Sequence, residues 1–211
     1  MRGKFISFEG IDGSGKSTQL RLLAGELRFK GCNVLTTIEP GGTPLGRRLR
    51  EAFLETEETV APLAELLLFA ADRAQHVEFL VKPALAEGKI VVTDRYADAT
   101  VAYQGGGRGF SEKIVTQVVK LAANGLTPDL TVFFDLPIEK AILRAGSRRA
   151  DETVRNRMDG ETLEFYERVR AAYLQIARKE PKRFRIVDAD GRIEEIHGRV
   201  MEVVTEFLSK N

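Results

Sequence analysis

The stretch EGIDGSGKST, residues 9–18, follows the apolar run Phe5, Ile6, Ser7, Phe8 and precedes a segment in which Leu20, Leu23, Ala24 and Leu27 recur at helical spacing. Residues 10–17 fit the pattern G-x-x-x-x-G-K-[ST], a phosphate loop. Its glycines permit backbone conformations in which successive N–H groups converge on an anion, and a helix beginning near Lys16 adds the positive end of its dipole. Lys16 is placed to reach the β- and γ-phosphates of a nucleotide, and the Ser17 hydroxyl suits Mg²⁺. The bland alternative is a glycine-rich turn. Placement between a strand and an amphipathic helix argues against it. Gly10, Ile11, Asp12, Gly13, Ser14, Gly15, Lys16, Ser17 and Thr18 are therefore read as the cradle of a nucleoside triphosphate.

Outward from this loop, short β-branched or aromatic runs alternate with longer helical stretches, the pattern of a parallel-sheet α/β protein. Strands are predicted at 4–9, 33–38, 90–94, 130–135 and 185–188, and helices at about 16–30, 44–54, 62–87, 111–124, 138–145, 161–178 and 193–208. Pro62 suits a first helical turn, and Pro83 predicts a kink or break late in the third helix. Two segments read as neither strand nor helix: a flexible glycine stretch at 105–109 and an arginine-crowded stretch at 147–158. The fold class is α/β, with a five-stranded parallel sheet flanked by helices in three layers. There is neither an internal repeat nor a low-complexity linker, so residues 1–211 read as one domain.

Composition narrows the function classes. The chain has 211 residues, 43% of them hydrophobic, enough for one well-packed core. The 32 basic and 31 acidic residues leave a net charge of +1, which argues against a general nucleic-acid-binding surface. The single Cys32 excludes an internal disulfide and a cysteine cage, and His76 and His197 are too far apart in sequence to suggest zinc. No apolar stretch approaches the roughly 18 residues of a spanning helix. A cytoplasmic protein with no membrane partner is expected.

Three further stretches bear on where a phosphate would go. Asp94-Arg95-Tyr96 closes the third predicted strand, where open α/β sheets face their ligand crevice; an acid there can hold a metal's water shell and an arginine can grip a second phosphate. A surface salt bridge is the competing reading. Glu39-Pro40-Gly41-Gly42-Thr43 follows another strand and leads to Arg47, Arg48 and Arg50; the first two read as a solvated helix face, while Arg50 is placed to turn inward. Phe69 and Arg73, four apart, share a helix face, and a ring beside a guanidinium suits a nucleobase, although a phenylalanine taken alone at such a position is more often core.

With GIDGSGKST (10–18), EPGGT (39–43), LLLFAADRAQH (66–76), DRY (94–96), AYQGGGRG (102–109) and PDLTVFFDL (128–136) in this order, essentially the whole chain resembles thymidylate kinase, of the nucleoside monophosphate kinase group. The resemblance implies a P-loop kinase fold with a mobile arginine-rich lid at about 146–158, a homodimer, and transfer of the ATP γ-phosphoryl group to dTMP. It implies that Ser17 and Asp94 arrange Mg²⁺, partly through water, and that Arg50 and Arg95 hold the acceptor phosphate. The base would stack on Phe69, with Arg73 donating to thymine O4 and Thr100 or Gln104 contacting N3. Tyr103 would press against the sugar C2′, and Asp12 would accept from the 3′-OH. Glu39 and Pro40 would line the same site. Because Asp12, Gly13 and Ser14 supply no cation, Arg148 or Arg149 would bring one from the lid.

Ile38 stands where many bacterial relatives carry arginine, and Asn156-Arg157-Met158-Asp159 replaces a D-R-x-E lid ending. The rivals are a kinase for another nucleoside monophosphate and a phosphate-loop switch that hydrolyses slowly. A switch needs no clamp for an acceptor phosphate.

Overall fold

Every residue of β1 (Phe5–Glu9) is buried, as a strand covered on both faces requires. The computed structural model describes residues 2–149 and 157–210, excepting the side chains of 147–149 and 159. The other strands are β2 (Val34–Ile38), β3 (Ile90–Asp94), β4 (Leu130–Asp135) and β5 (Phe184–Asp188). All pairings are parallel, in the order β2-β3-β1-β4-β5. β1 is central, and its Phe8 lies level with Asp94 on one side and Val132 on the other. The loops after β1, β2 and β3 therefore open side by side at the carboxyl edge, where such sheets hold ligands.

The helices are α1 (Lys16–Phe29), α2 (Pro44–Leu54), α3 (Pro62–His76), α4 (Lys82–Ala86), α5 (Ala97–Thr100), α6 (Glu112–Ala123), α7 (Ile138–Arg149), α8 (Leu163–Lys179) and α9 (Ile193–Ser209). α1 packs on α9 and on the β2–β3 side of the sheet, while α8 packs on β5 and α3 on α6. Aromatic rings fill the space between sheet and helices. Phe133 of β4 stacks on Tyr173 of α8 with centroids 4.7 Å apart, and Phe8 meets Phe134 at 5.0 Å.

One expectation is met and one is corrected. The helix predicted over 62–87, with a kink or break at Pro83, is interrupted by a π-helical turn at Val77–Val81 that separates α3 from α4. Pro83 has no N–H, and its ring would crowd the carbonyl four residues back; a widened turn just before it relieves both problems. The glycine stretch is not an open loop, since α5 continues into a π-helical segment at Val101–Gly107. A Cβ on Gly106 would lie 2.8 Å from Ala172 Cβ, and one on Gly107 2.5 Å from the Phe165 ring. These glycines allow α8 to approach closely. They serve packing, not flexibility. α7 also runs past the predicted 145 to Arg149, and Arg157–Gly160 form a 3₁₀ turn, so both described ends of the expected lid are helical.

Candidate active site

The phosphate loop has the geometry its glycines imply. Gly15 precedes α1 with φ 94°, a left-handed value, and no side chain caps the helix start, so its first amides stay available to an anion. Gly13, at φ 87°, passes so close to α7 that a Cβ would lie 2.0 Å from the Ala141 carbonyl oxygen. Lys16 is buried and donates to the Ile11 carbonyl at 3.1 Å. Burial, with Arg95 nearby, pushes its ammonium down to about 8. Ser17 Oγ donates to Asp94 Oδ2 at 2.5 Å, and the other carboxylate oxygen of Asp94 is buried with no hydrogen-bond partner among the described residues. No group of three or more His, Cys, Asp or Glu among the described residues could hold a metal. A cation here would rest on one hydroxyl, one carboxylate and oxygens brought by a ligand, which is the way Mg²⁺ is ordinarily held beside phosphates.

Arg95 joins the loop to the neighbouring wall. Its backbone has φ 70°, uncommon for a side chain of its size. Its own N–H donates to the Phe8 carbonyl at 2.9 Å, and the next N–H, of Tyr96, donates to Glu9 Oε1 at 2.8 Å. So fixed, its Nη2 donates to Gly10 O and Asp12 Oδ1, each at 3.2 Å, and to the Tyr103 hydroxyl at 3.1 Å. Burial disfavours this charge, but Asp12, Tyr103 and Asp94 hold the guanidinium well above its usual value. Burial also pushes the Tyr103 hydroxyl up to about 12.

From there a cleft of about 360 Å³ extends past Phe69 and Arg73. Phe69 is half-buried, edge-on to Phe53 with centroids 4.9 Å apart. Arg73 is 2% exposed; its Nε lies 2.5 Å from Glu39 Oε1 and its Nη2 donates to Tyr96 O at 3.1 Å. Its Nη1 is buried with no hydrogen-bond partner among the described residues. Burying an unmatched guanidinium nitrogen is costly, so this atom marks where an acceptor belongs. Glu39 is fixed in turn by His76, whose Nδ1 is 3.1 Å from Oε2 and whose Nε2 is 2.8 Å from Thr37 Oγ1. Burial and the nearby Glu39 charge push Asp72 up to about 6.

Of the remaining predicted positions, Arg50 does turn inward. Its Nη1 donates to Pro40 O at 3.1 Å, whereas Arg47 and Arg48 are exposed. Pro40, Thr100, Tyr103 and Gln104 also border the cleft. The side chains of Arg148 and Arg149 lie outside the described residues.

The sequence model of the thymidylate kinase family matches residues 8–200. The chain belongs to the thymidylate kinase family. It is 46% identical to the thymidylate kinase of Halothermothrix orenii over the full length of both, and 43% identical to that of Caldanaerobacter subterraneus subsp. tengcongensis over 99% of this chain and 98% of the relative. Among solved structures it is similar to thymidylate kinase from Ehrlichia chaffeensis, with a TM-score of 0.79 and 35% identity over 97% of this chain and all of the other.

For a thymidylate kinase family member, two buried carboxylates beside the cleft were missed by the sequence reading. Glu9 accepts from Ser7 Oγ and Tyr173 OH, each at 2.8 Å, as well as from Tyr96 N–H. Glu65 of α3 accepts from Gln104, Arg108 and Arg157. Each is a lone acid inside or beside an apolar run, and that isolation was the available signal: a single charge among buried positions needs partners brought from elsewhere.

Proposed function

We propose that this thymidylate kinase family member transfers the γ-phosphoryl group of ATP to the phosphate of dTMP, yielding dTDP for dTTP synthesis. The observation that carries this reading is the pairing of two anion-binding ends in one cleft, with the unmatched Arg73 Nη1 beside Phe69 beyond them. The phosphate loop, residues 10–18, with Lys16, holds the donor phosphates. Arg95 and Arg50 hold the acceptor phosphate, so that the two anionic tails meet end to end. Phosphoryl transfer asks for this positioning and charge neutralisation and for little covalent chemistry.

Ser17 and the unmatched Asp94 oxygen are the residues that would hold Mg²⁺, which when bound neutralises charge on the β- and γ-phosphates. At the other end Phe69 stacks on the base, and Arg73 donates to an acceptor at the thymine 4-position, where cytosine would present a donor. Glu39 and Pro40 back that recess, Thr100 or Gln104 meets N3, and Tyr103 crowds the sugar C2′. Asp12, beside Arg95, accepts from the 3′-OH. Arg148 or Arg149 supplies the lid cation that the loop lacks.

The chain acts as one domain in the cytoplasm and as a homodimer. For the dimer, Leu63 and Leu67 of α3 are 54% and 51% exposed and Leu121 of α6 is 84% exposed. α3 and α6 pack together, and these exposed leucines are apolar surface that a second copy would cover. Sedimentation at micromolar concentration tests this. Among the described residues, no helix is long and apolar enough to cross a membrane.

The activity is tested by ADP release with dTMP, dCMP, UMP and dUMP. dTMP is the expected preferred acceptor, and a preference for dCMP or UMP overturns the assignment. Arg95→Ala should lower kcat/KM for dTMP by about 10²–10³-fold, the usual effect of losing a preorganised charge. If that variant kept full dTMP turnover, Arg95 would not be the acceptor clamp; if the wild type hydrolysed ATP slowly and phosphorylated none of the four acceptors, the switch reading would take the place of the kinase.

A further inference from the structure

We infer that Glu65 is a positioning residue for base discrimination: it fixes the side-chain amide of Gln104 so that the amide oxygen, and not its nitrogen, is presented to position 3 of the bound pyrimidine. The inference rests on the reading of the cleft as a thymidylate site and gives it a second point of selection beside Arg73.

Glu65 is fully buried in α3. Its Oε1 accepts from Gln104 Nε2 at 2.8 Å and from Arg108 Nε at 3.1 Å. Its Oε2 accepts from Arg108 Nη2 at 2.9 Å and from Arg157 Nη2 at 2.5 Å. Burial pushes this carboxyl up, but the bonds from Arg108, Arg157 and Gln104 outweigh it and hold the group below its usual value. Glu65 is thus ionised and has no proton to donate.

An amide side chain can ordinarily turn over, exchanging oxygen and nitrogen at little steric cost. Here it cannot, because a turned amide would set its oxygen 2.8 Å from a carboxylate oxygen, lone pair against lone pair. The nitrogen is committed to Glu65. What Gln104 has left for the cleft it lines is the oxygen, which hydrogen-bonds to no described residue. Thymine carries N–H at position 3 and meets that oxygen with a donor; cytosine carries a bare nitrogen there and meets it with a lone pair. Thr100 on the same wall has a hydroxyl that donates or accepts according to its rotation, so it satisfies either base and selects neither. Selection at this position needs a group that cannot rotate, and Glu65 makes Gln104 such a group.

The experiment compares kcat/KM for dTMP, dUMP and dCMP in the wild type, Glu65→Gln and Gln104→Met. A glutamine at 65 can donate as well as accept, so it tolerates either orientation of Gln104. In Glu65→Gln the dTMP:dCMP ratio should fall about tenfold or more, the worth of one hydrogen bond to a buried polar group. The dTMP:dUMP ratio should not move, because uracil and thymine share the same edge at positions 3 and 4. A dTMP:dCMP ratio equal to that of the wild type overturns the inference, and so does an equal fall in both ratios, which general loosening of the pocket would produce. Gln104→Met leaves Glu65 with its arginines and removes the oxygen directly. It should show the same split between the two ratios, and an unchanged dTMP:dCMP ratio in this variant is equally fatal. A wild type that prefers dCMP would instead sink the thymidylate reading itself.

Discussion

Glu9 at the end of β1 and Glu65 in α3 are both fully buried carboxylic acids, and their surroundings drive them in opposite directions. Glu9 receives only neutral donors, two hydroxyls and a backbone N–H; burial and the nearby Asp98 push it up to about 8. Glu65 receives an amide and two guanidinium groups, and it stays below the ordinary 4.5 despite its burial. Burial alone therefore does not decide ionisation. The charge of the donors does. Each acid suits its place: a neutral Glu9 pins the turn that carries Arg95 without adding negative charge beside the phosphate loop, and an ionised Glu65 anchors two other segments through their cations, Arg108 and Arg157.

The sharpest way to break this contrast is Glu65→Ala. It leaves Arg108 and Arg157 without their shared carboxylate and should cost about 3–5 kcal/mol of stability in urea unfolding, the usual result of removing one partner of a buried ion pair. A loss below about 1 kcal/mol would mean that Glu65 carries no such load, since that is the ordinary worth of one neutral hydrogen bond. Arg108→Met removes one of its two cations. About 2 kcal/mol is expected in the same measurement, because bonds to charged groups are worth about 1.5–3 kcal/mol each.

The smallest effect belongs to Glu9→Gln, which imitates the neutral acid and should cost about 1 kcal/mol or less at pH 6. Its pH dependence carries the sign of the argument. The folded value of Glu9 lies near 8 against 4.5 unfolded, so the native state holds the extra proton between those values. Wild-type stability relative to Glu9→Gln should then decline as pH rises from 5 to 8. For Glu65 the shift is downward from 4.5, so its advantage over Glu65→Gln should persist at neutral pH and fade only on acidification below about 4.5. Unfolding curves at several pH values that moved in parallel for the two variants would abolish the distinction between the two acids.

The phosphate loop, the DRY triplet and the Phe69–Arg73 pair were legible in the sequence because their geometry is local: a glycine pattern, a strand end, one helix face. Glu65 was not, since its partners Gln104, Arg108 and Arg157 lie 39, 43 and 92 residues away. Glu9 was read only as the last residue of the first predicted strand, while its partner Tyr173 is 164 residues distant. The glycines at 105–107 misled for a related reason: glycine that supplies mobility and glycine that admits a neighbouring helix are written with the same letter.

By itself the sequence determined the five parallel strands, the nucleotide-cradling loop and the cations that face it, because periodicity, turn chemistry and helix-face spacing act over a few residues. Only the tertiary structure decided which buried acids are charged, which atom of Gln104 is available to a ligand, and that the glycine segment packs closely against α8. Those outcomes depend on donors and surfaces that the chain brings together from distant positions, and no local pattern encodes them.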